Sequence, residues 1–226
     1  MSELVFDCLD AQPERYAAAP SISFRLRIAE TTGGDIHALA LRCQIRIEPQ
    51  RRRYSRAEEL RLLDLFGETA RWGDTLKPMQ FANVSAMVPR FRGSTEIDLP
   101  VPFTYDFEVA TSKYFHALED GQIPLLLLFS GTVFSKGSAG LSVNQVPWHK
   151  EAEYRLPVRV WTELMDIYFP NSGWIRMRRD TLDALQDFKA RRALPTWDQA
   201  FETLLTEAGA QAPHERAGVS AKAPDG

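Results

Sequence analysis

The sequence predicts an α+β fold, an antiparallel β-sandwich or sheet with a helix after strand 2 and a helical segment at the C-terminus. Segments with the two-residue period of β-strands occupy the first two-thirds of the chain, whereas apolar residues at helical spacing dominate the last third. This separation of strands from helices is typical of α+β proteins. It differs from the regular alternation that βαβ units would give.

Five segments have a strand-like pattern, at 23–28, 39–47, 103–109, 125–134 and 141–146. The first two are separated by turn-forming residues at 31–35, so we expect them to pair as an antiparallel hairpin. The fourth is apolar until it reaches Ser130, Gly131 and Thr132. That pattern predicts a strand that is buried on both faces or bent at the glycine.

The predicted helices have well-marked ends. Ser55 and Glu58 form a capping box, which predicts a helix that starts there and ends before Gly67. A further helix is expected over 157–168, although its first residues would also suit a strand. Two C-terminal helices are separated by Pro195, which cannot continue a helix, so they form an antiparallel pair or a bend.

Length and composition predict one folded domain. We expect a loose N-terminal segment at 1–20, a single α+β domain at 21–208 and a disordered tail at 209–226. The 30 acidic and 27 basic residues give a net charge of −3, which argues against nucleic-acid binding. No segment is long and apolar enough to span a membrane, and no basic, apolar leader begins the chain, so the sequence predicts a cytoplasmic protein.

The sequence contains none of the motifs that we tested for catalysis or cofactor binding. It has no nucleophile elbow, phosphate loop, dinucleotide fingerprint or metal-ligand spacing, so we assign no catalytic residue, metal or cofactor. Cys8 and Cys43 are expected to be reduced thiols, with Cys43 in the core. One enzymatic alternative stays open, a site assembled from Asp106, Glu108 and His116.

An arginine-rich segment and several tryptophans are the candidate binding residues. The segment adjoins Arg42 and Arg46 on the polar face of the preceding strand, and guanidinium groups bind carboxylates and phosphates. The partner-binding candidates are Arg51, Arg52, Arg53, Tyr54, Trp72, Trp148 and Trp174. For the arginines the alternative is a solvated loop that nearby glutamates partly neutralise, and for the tryptophans it is loop anchoring.

Several sequence blocks together resemble a family of bacterial proteins of unknown function. They lie at 41–49, 65–67, 71–73, 105–109, 124–134 and 168–171. The resemblance extends over roughly 21–205. Some members of the family are encoded near uptake nickel–iron hydrogenase genes, which implies an accessory or assembly role. The family pattern carries no catalytic residue over to this chain, and the chain has no nickel-ligand cluster of its own.

These observations favour a non-enzymatic, cytoplasmic accessory protein that binds a protein partner, with a link to a hydrogenase-type metalloenzyme as one hypothesis. A homo-oligomer is compatible with the sequence. The alternative is a small-molecule or anion-binding module with a pocket between sheet and helices.

Overall fold

A computed structural model of the protein describes residues 3–103, 109–137, 140–170 and 177–210. The chain forms two compact units, which divide between residues 172 and 173. Among the described residues, the first unit contains the sheets and most of the helices, and the second contains two helices. The predicted limits of a single domain, 21–208, stay a prediction.

The described part of the first unit is built from antiparallel strands with short helices between them. Its strands are β1 (Leu4–Pro13), β2 (Ser21–Glu30), β3 (Asp35–Ile47), β4 (Met79–Val88), β5 (Phe91–Arg92), β6 (Ser94–Pro102), β7 (Gln122–Gly137), β8 (Gly140–Gln145) and β9 (Glu151–Pro157). Its α-helices are α1 (Arg56–Arg61), α2 (Leu63–Phe66), α3 (Trp72–Thr75), α4 (Val109–Ala117) and α5 (Val158–Tyr168). Short 3-10 turns cover Pro49–Arg51 and Thr69–Arg71.

The strands form two antiparallel sheets. The first sheet has the order β1-β2-β6, and the second has the order β4-β3-β7-β8, with β5 paired to β3 and β9 paired to β7. The predicted α+β class is therefore confirmed as a mixed fold dominated by antiparallel sheets. The stacked rings of Phe6 and Phe129, whose centroids are 4.2 Å apart, join the two sheets through the core.

The predicted hairpin between the first two sequence-predicted strands is wrong. These segments are β2 and β3, and they lie in different sheets, because β2 pairs with β1 and β6. The connection is held by the buried carboxylate of Glu30, which accepts hydrogen bonds from the backbone N–H groups of Thr32 (3.1 Å), Gly34 (2.7 Å) and Glu3 (3.3 Å). Turn-forming residues suit a crossover between sheets as well as a hairpin, so composition could not separate the two.

The N-terminal segment also differs from the prediction. We expected residues 1–20 to be loose, but Leu4–Pro13 forms β1 and buries Leu4, Phe6 and Ala11. The pairing register shifts between Cys8 and Asp10, which breaks the two-residue alternation that would have revealed the strand. Because this strand comes first, the helix that we placed after strand 2 follows the third strand instead.

Three further predicted elements are present in the structure. The predicted strands at 125–134 and 141–146 correspond to β7 and β8, and the helix at 157–168 corresponds to α5. The predicted strand at 103–109 falls mostly on residues 104–108, outside the described residues, and Val109 begins α4.

Aromatic side chains fill the region between the second sheet and helices α4 and α5. Trp161 of α5 stacks on Phe115 of α4, with ring centroids 4.9 Å apart, and contacts Phe103 at 5.0 Å. Phe115 in turn contacts Phe81 of β4. This cluster fixes both helices against the body of the first unit.

The described part of the second unit consists of α6 (Arg179–Arg191) and α7 (Trp197–Glu207). The Thr196 side chain accepts a hydrogen bond from the backbone N–H of Gln199, which caps the start of α7. Arg192 forms an ion pair with Glu207 and so links the two helices. The predicted tail lies almost wholly outside the described residues.

Candidate functional site

Arg52, a predicted binding residue, is buried and has a structural role. Its guanidinium forms an ion pair with Glu58 at 2.5 Å, and the two side chains are only 8% and 4% exposed. It also donates to the backbone carbonyls of Asp120 (2.6 Å) and Gln122 (3.3 Å). Arg52 therefore ties the loop before α1 to the connection between α4 and β7.

Tyr54 and Trp72 belong to the same interior network. The Tyr54 hydroxyl donates to the Pro49 carbonyl at 2.7 Å and lies 2.8 Å from the Tyr114 hydroxyl. Burial raises the pKa of Tyr54 to about 12, so this hydroxyl stays protonated. The Trp72 indole packs edge-on against Tyr54 and donates its N–H to the Gly67 carbonyl. We call Arg52, Tyr54, Glu58 and Tyr114 the arginine-loop network.

The remaining predicted binding residues are at the surface or lie outside the described residues. Arg51 forms an exposed ion pair with Glu153 at 2.8 Å, and Arg53 is exposed. Trp148 is 91% exposed and contacts only the edge of the adjacent His149 ring among the aromatic side chains described. Trp174 lies outside the described residues. The structure thus does not gather the predicted set into one surface.

A different surface contains a groove lined by one exposed arginine. The outward face of the second sheet contains an open groove of about 660 Å³, which we call the sheet groove. Six residues define it for the argument below: Ala40, Arg42, Ser85, Met87, Ser130 and Thr132. They come from three adjacent strands, β4, β3 and β7, and Gln145 of β8 completes the rim.

Small side chains and one glycine make the groove concave. Gly131 has a φ of +144°, and a Cβ atom there would lie 2.1 Å from the carbonyl oxygen of Ala40. Only glycine therefore permits this close approach of β7 to β3. The side chains of Ala40, Ser130 and Thr132 around it are short, so the surface is recessed there.

Arg42 supplies the positive charge of the groove. The strand register places Arg42 between Ser85 of β4 and Ser130 of β7. Cross-strand neighbours have Cβ atoms about 5 Å apart, so both serine hydroxyls lie on the same sheet face as the Arg42 side chain. Arg42 is exposed and, within the part of the chain that the structure describes, pairs with no carboxylate. Arg46 on the same face is paired with Glu48 at 3.8 Å.

Such an arrangement suits a carboxylate or another oxyanion. A guanidinium binds a carboxylate through two parallel hydrogen bonds, and hydroxyl groups can complete the oxygen's remaining sites. Alternation in the sequence places Arg42 on the polar face of its strand, beside Arg46, and nothing local distinguishes the two arginines. Alternation shows that the side chain of Arg42 points outward. Its neighbours Ser85 and Ser130 come from other strands, so they could be identified only from the strand pairing.

The described residues offer little for metal or thiol chemistry. They contain no group of three or more His, Cys, Asp or Glu side chains placed to hold a metal ion. Both cysteines are free, and Cys43 is buried on the inner face of β3, as its position in the sequence indicates. Burial raises the pKa of Cys8 and Cys43 to about 12, which disfavours the reactive thiolate.

Of the three residues in the enzymatic alternative, Asp106, Glu108 and His116, only His116 lies among the described residues. His116 lies on α4 with its ring edge-on to Trp161 at 5.4 Å, and partial burial lowers its pKa. Asp106 and Glu108 fall outside the described residues. Across the described ranges, no helix has both the length and the apolar composition needed to cross a membrane.

Within the described residues, the protein has two antiparallel sheets, and one sheet face contains a groove lined by an exposed arginine and small side chains. The chain belongs to a family of unknown function, DUF6084, whose model matches residues 1–213. No curated protein matches it significantly.

Solved structures that resemble the chain are distant. Two are structures of β-glucosidase 3B from Thermotoga neapolitana, one with α-D-glucose and one with glycerol, at 10% identity and TM-scores of 0.24 and 0.25. A third is a β-glucosidase from Kluyveromyces marxianus, at 14% identity and a TM-score of 0.24. The match covers 68% of this chain in each case, but only 17%, 17% and 15% of those proteins.

Proposed function

We propose that this protein is a non-enzymatic accessory protein that binds an acidic segment of a protein partner in the sheet groove. The observation that supports this most directly is Arg42, an exposed guanidinium between two serines with no carboxylate partner among the described residues. An unpaired cation that lines a concave surface is available to a ligand without first giving up an internal ion pair.

The apolar rim favours a polypeptide over a free inorganic anion. Met87, at the edge of the groove on β4, is 68% exposed. Exposed apolar residues beside a charged centre are typical of protein interfaces, where they exclude water from the polar contacts. We therefore expect a ligand segment with a carboxylate flanked by apolar side chains.

The partner's identity rests on the sequence resemblance alone. That resemblance implies a protein from the assembly of a hydrogenase-type metalloenzyme, and such a protein is the first partner to try. The alternative of a small-molecule or anion pocket between sheet and helices has weaker support, because the groove lies on the outward face of the sheet.

The proposal can be tested with a labelled glutamate-rich peptide that also contains leucine, titrated into the protein by fluorescence anisotropy. We expect binding that weakens as salt is added, since the central contact is electrostatic. Arg42→Gln should weaken binding by about tenfold or more, because it removes a charge-assisted contact.

Arg53→Gln is the matched control, since Arg53 is exposed and lies outside the groove. A glutamine-rich version of the same peptide tests the need for negative charge. Equal affinity of Arg42→Gln and the unmodified protein, or a stronger effect of Arg53→Gln, would overturn the assignment of the groove.

A further inference from the structure

β8 ends the second sheet with an open hydrogen-bonding edge. The backbone N–H of Val146 donates to the Gly131 carbonyl of β7 at 2.9 Å, in register with the β7–β8 pairing. Along an antiparallel strand, the backbone groups of alternate residues point to the same side. The N–H and C=O groups of Leu141, Val143 and Gln145 therefore point away from β7, and no described residue pairs with them.

The chemistry of this edge is unusual for an unpaired strand. Residues 140–145 contain no charge and no proline, whereas natural edge strands are commonly protected by one or the other. Leu141 and Val143 are 69% and 55% exposed. Both face outward beside Lys136 and Phe134 of β7, so the edge has an apolar strip along it.

The other strands at the ends of the second sheet are contacted by further elements. The Thr111 hydroxyl of α4 donates to the Gln80 carbonyl of β4 at 3.4 Å. β9 shares a side of β7 with β8, but it packs beside β1 of the first sheet. Among these strands, β8 thus offers the most open edge in the part of the chain that the structure describes.

We propose that β8 is a dimerisation site, at which a second copy of this chain adds antiparallel to form one continuous sheet across a two-fold axis. This goes beyond the proposed function and does not depend on it. An antiparallel edge that pairs with itself closes after two copies, which limits the assembly to a dimer. Because residues 140–145 are uncharged, no like charges face each other along the paired strands.

Pairing would also cover the exposed apolar side chains. Leu141 and Val143 of one copy would meet the same residues of the other, which removes apolar surface from water on the outward face. The sheet groove lies on strands β4, β3 and β7, and β8 contributes only Gln145 to its rim. The dimer therefore keeps two grooves on one continuous sheet face.

The test is analytical ultracentrifugation of the full chain over a wide concentration series, combined with amide hydrogen exchange. We expect a reversible monomer–dimer equilibrium. The amides of Leu141, Val143 and Gln145 should become more protected as the concentration rises. Val143→Lys should raise the dimer dissociation constant by about tenfold or more, because it sets like charges across the axis.

Two further variants separate dimerisation from folding. Val143→Pro removes an N–H that points to the open edge and leaves the bonds to β7 in place, so it should also weaken the dimer. Val5→Lys puts the same charge on an exposed valine of β1 and should leave the dimer intact. A monomer at every concentration, or a dimer unaffected by both Val143 variants, overturns the proposal. Protection of these amides in a monomer only after a foreign peptide is added would also overturn it, in favour of a heterologous strand.

Discussion

Arg42 and Arg52 are close in the sequence, but they have opposite environments. The Arg52 side chain is buried in the arginine-loop network, where Glu58 and two backbone carbonyls accept hydrogen bonds from its two terminal nitrogens. Arg42 lies exposed on a sheet face with hydroxyl groups around it and no ion pair among the described residues. The difference shows that the fold, and not the local density of arginines, decides which guanidinium is neutralised by an ion pair.

The largest expected effect comes from breaking the arginine-loop network. Arg52→Leu leaves the Glu58 carboxylate buried without its counter-charge, so we expect the free energy of unfolding to fall by about 3 to 5 kcal/mol. Urea denaturation followed by circular dichroism measures it. Arg53→Leu serves as the control and should change stability by less than about 0.5 kcal/mol. Similar stabilities of the two variants would show that Arg52 is not structural.

Gly131→Ala should have the next largest effect on the free energy of unfolding. It should also alter the sheet groove, because Gly131 lines it. Its Cβ would lie 2.1 Å from the Ala40 carbonyl oxygen, so β3 and β7 must separate locally. We expect a loss of about 2 to 3 kcal/mol in unfolding free energy, together with weaker binding of the acidic peptide. Calorimetry and the anisotropy titration measure the two effects. Ser130→Ala, at the adjacent position, should be close to neutral for stability, and a neutral Gly131→Ala would contradict the geometry.

Glu30, like Arg52, is a charged side chain that the fold buries and supplies with hydrogen bonds. Burial alone would raise the pKa of Glu30, but hydrogen bonds from Thr32, Gly34 and Glu3 outweigh it, and the pKa lies below its ordinary value of 4.5. The resulting stabilisation is present above pH 4.5 and is lost as the pH falls through the lower, folded-state pKa. Glu30→Gln should cost about 1 to 3 kcal/mol at neutral pH.

Urea titrations between neutral and acidic pH test this prediction for Glu30. The gap in stability between the unmodified protein and Glu30→Gln should narrow below pH 4.5, because the native carboxylate is then protonated as well. Glu96→Gln is a suitable control, since Glu96 forms an exposed pair with Arg27. A constant gap at every pH would show that the charge of Glu30 contributes nothing.

The smallest expected effect on stability is that of Arg42→Ala. The Arg42 side chain makes no ion pair or hydrogen bond to another described residue, so its truncation should change the free energy of unfolding by less than about 0.5 kcal/mol. Thermal unfolding by differential scanning calorimetry measures it. A loss of 2 kcal/mol or more would place Arg42 with Arg52 as a structural residue.

Sequence patterns predicted those elements that have regular alternation or strong end signals. β3 alternates apolar and polar residues along its length, and the capping box at Ser55 and Glu58 starts α1 as expected. β1 was missed because a register shift interrupts its pattern, and the crossover after β2 contains the same residue types as a hairpin. Pairing between distant strands depends on the whole fold, which a local pattern does not contain.

The proposed binding site was harder to predict for the same reason. The charge of the arginine-rich segment was visible in the sequence, but its partners Glu58, Asp120 and Gln122 meet Arg52 only in the folded protein. Conversely, Arg42 is one of only two arginines in β3, and the small residues beside it come from β4 and β7. The run of arginines at 51–53 therefore directed the prediction to that segment and not to the sheet groove.

The central claim is that the sheet groove, and not the arginine-rich segment, binds an acidic peptide. Mapping of NMR chemical-shift changes on titration with the glutamate-rich peptide tests it most directly, because each backbone amide reports its own surroundings. The account predicts shifts concentrated at Arg42, Ser85 and Ser130, which disappear in Arg42→Gln. Shifts concentrated at 51–53 and retained in Arg42→Gln would contradict it.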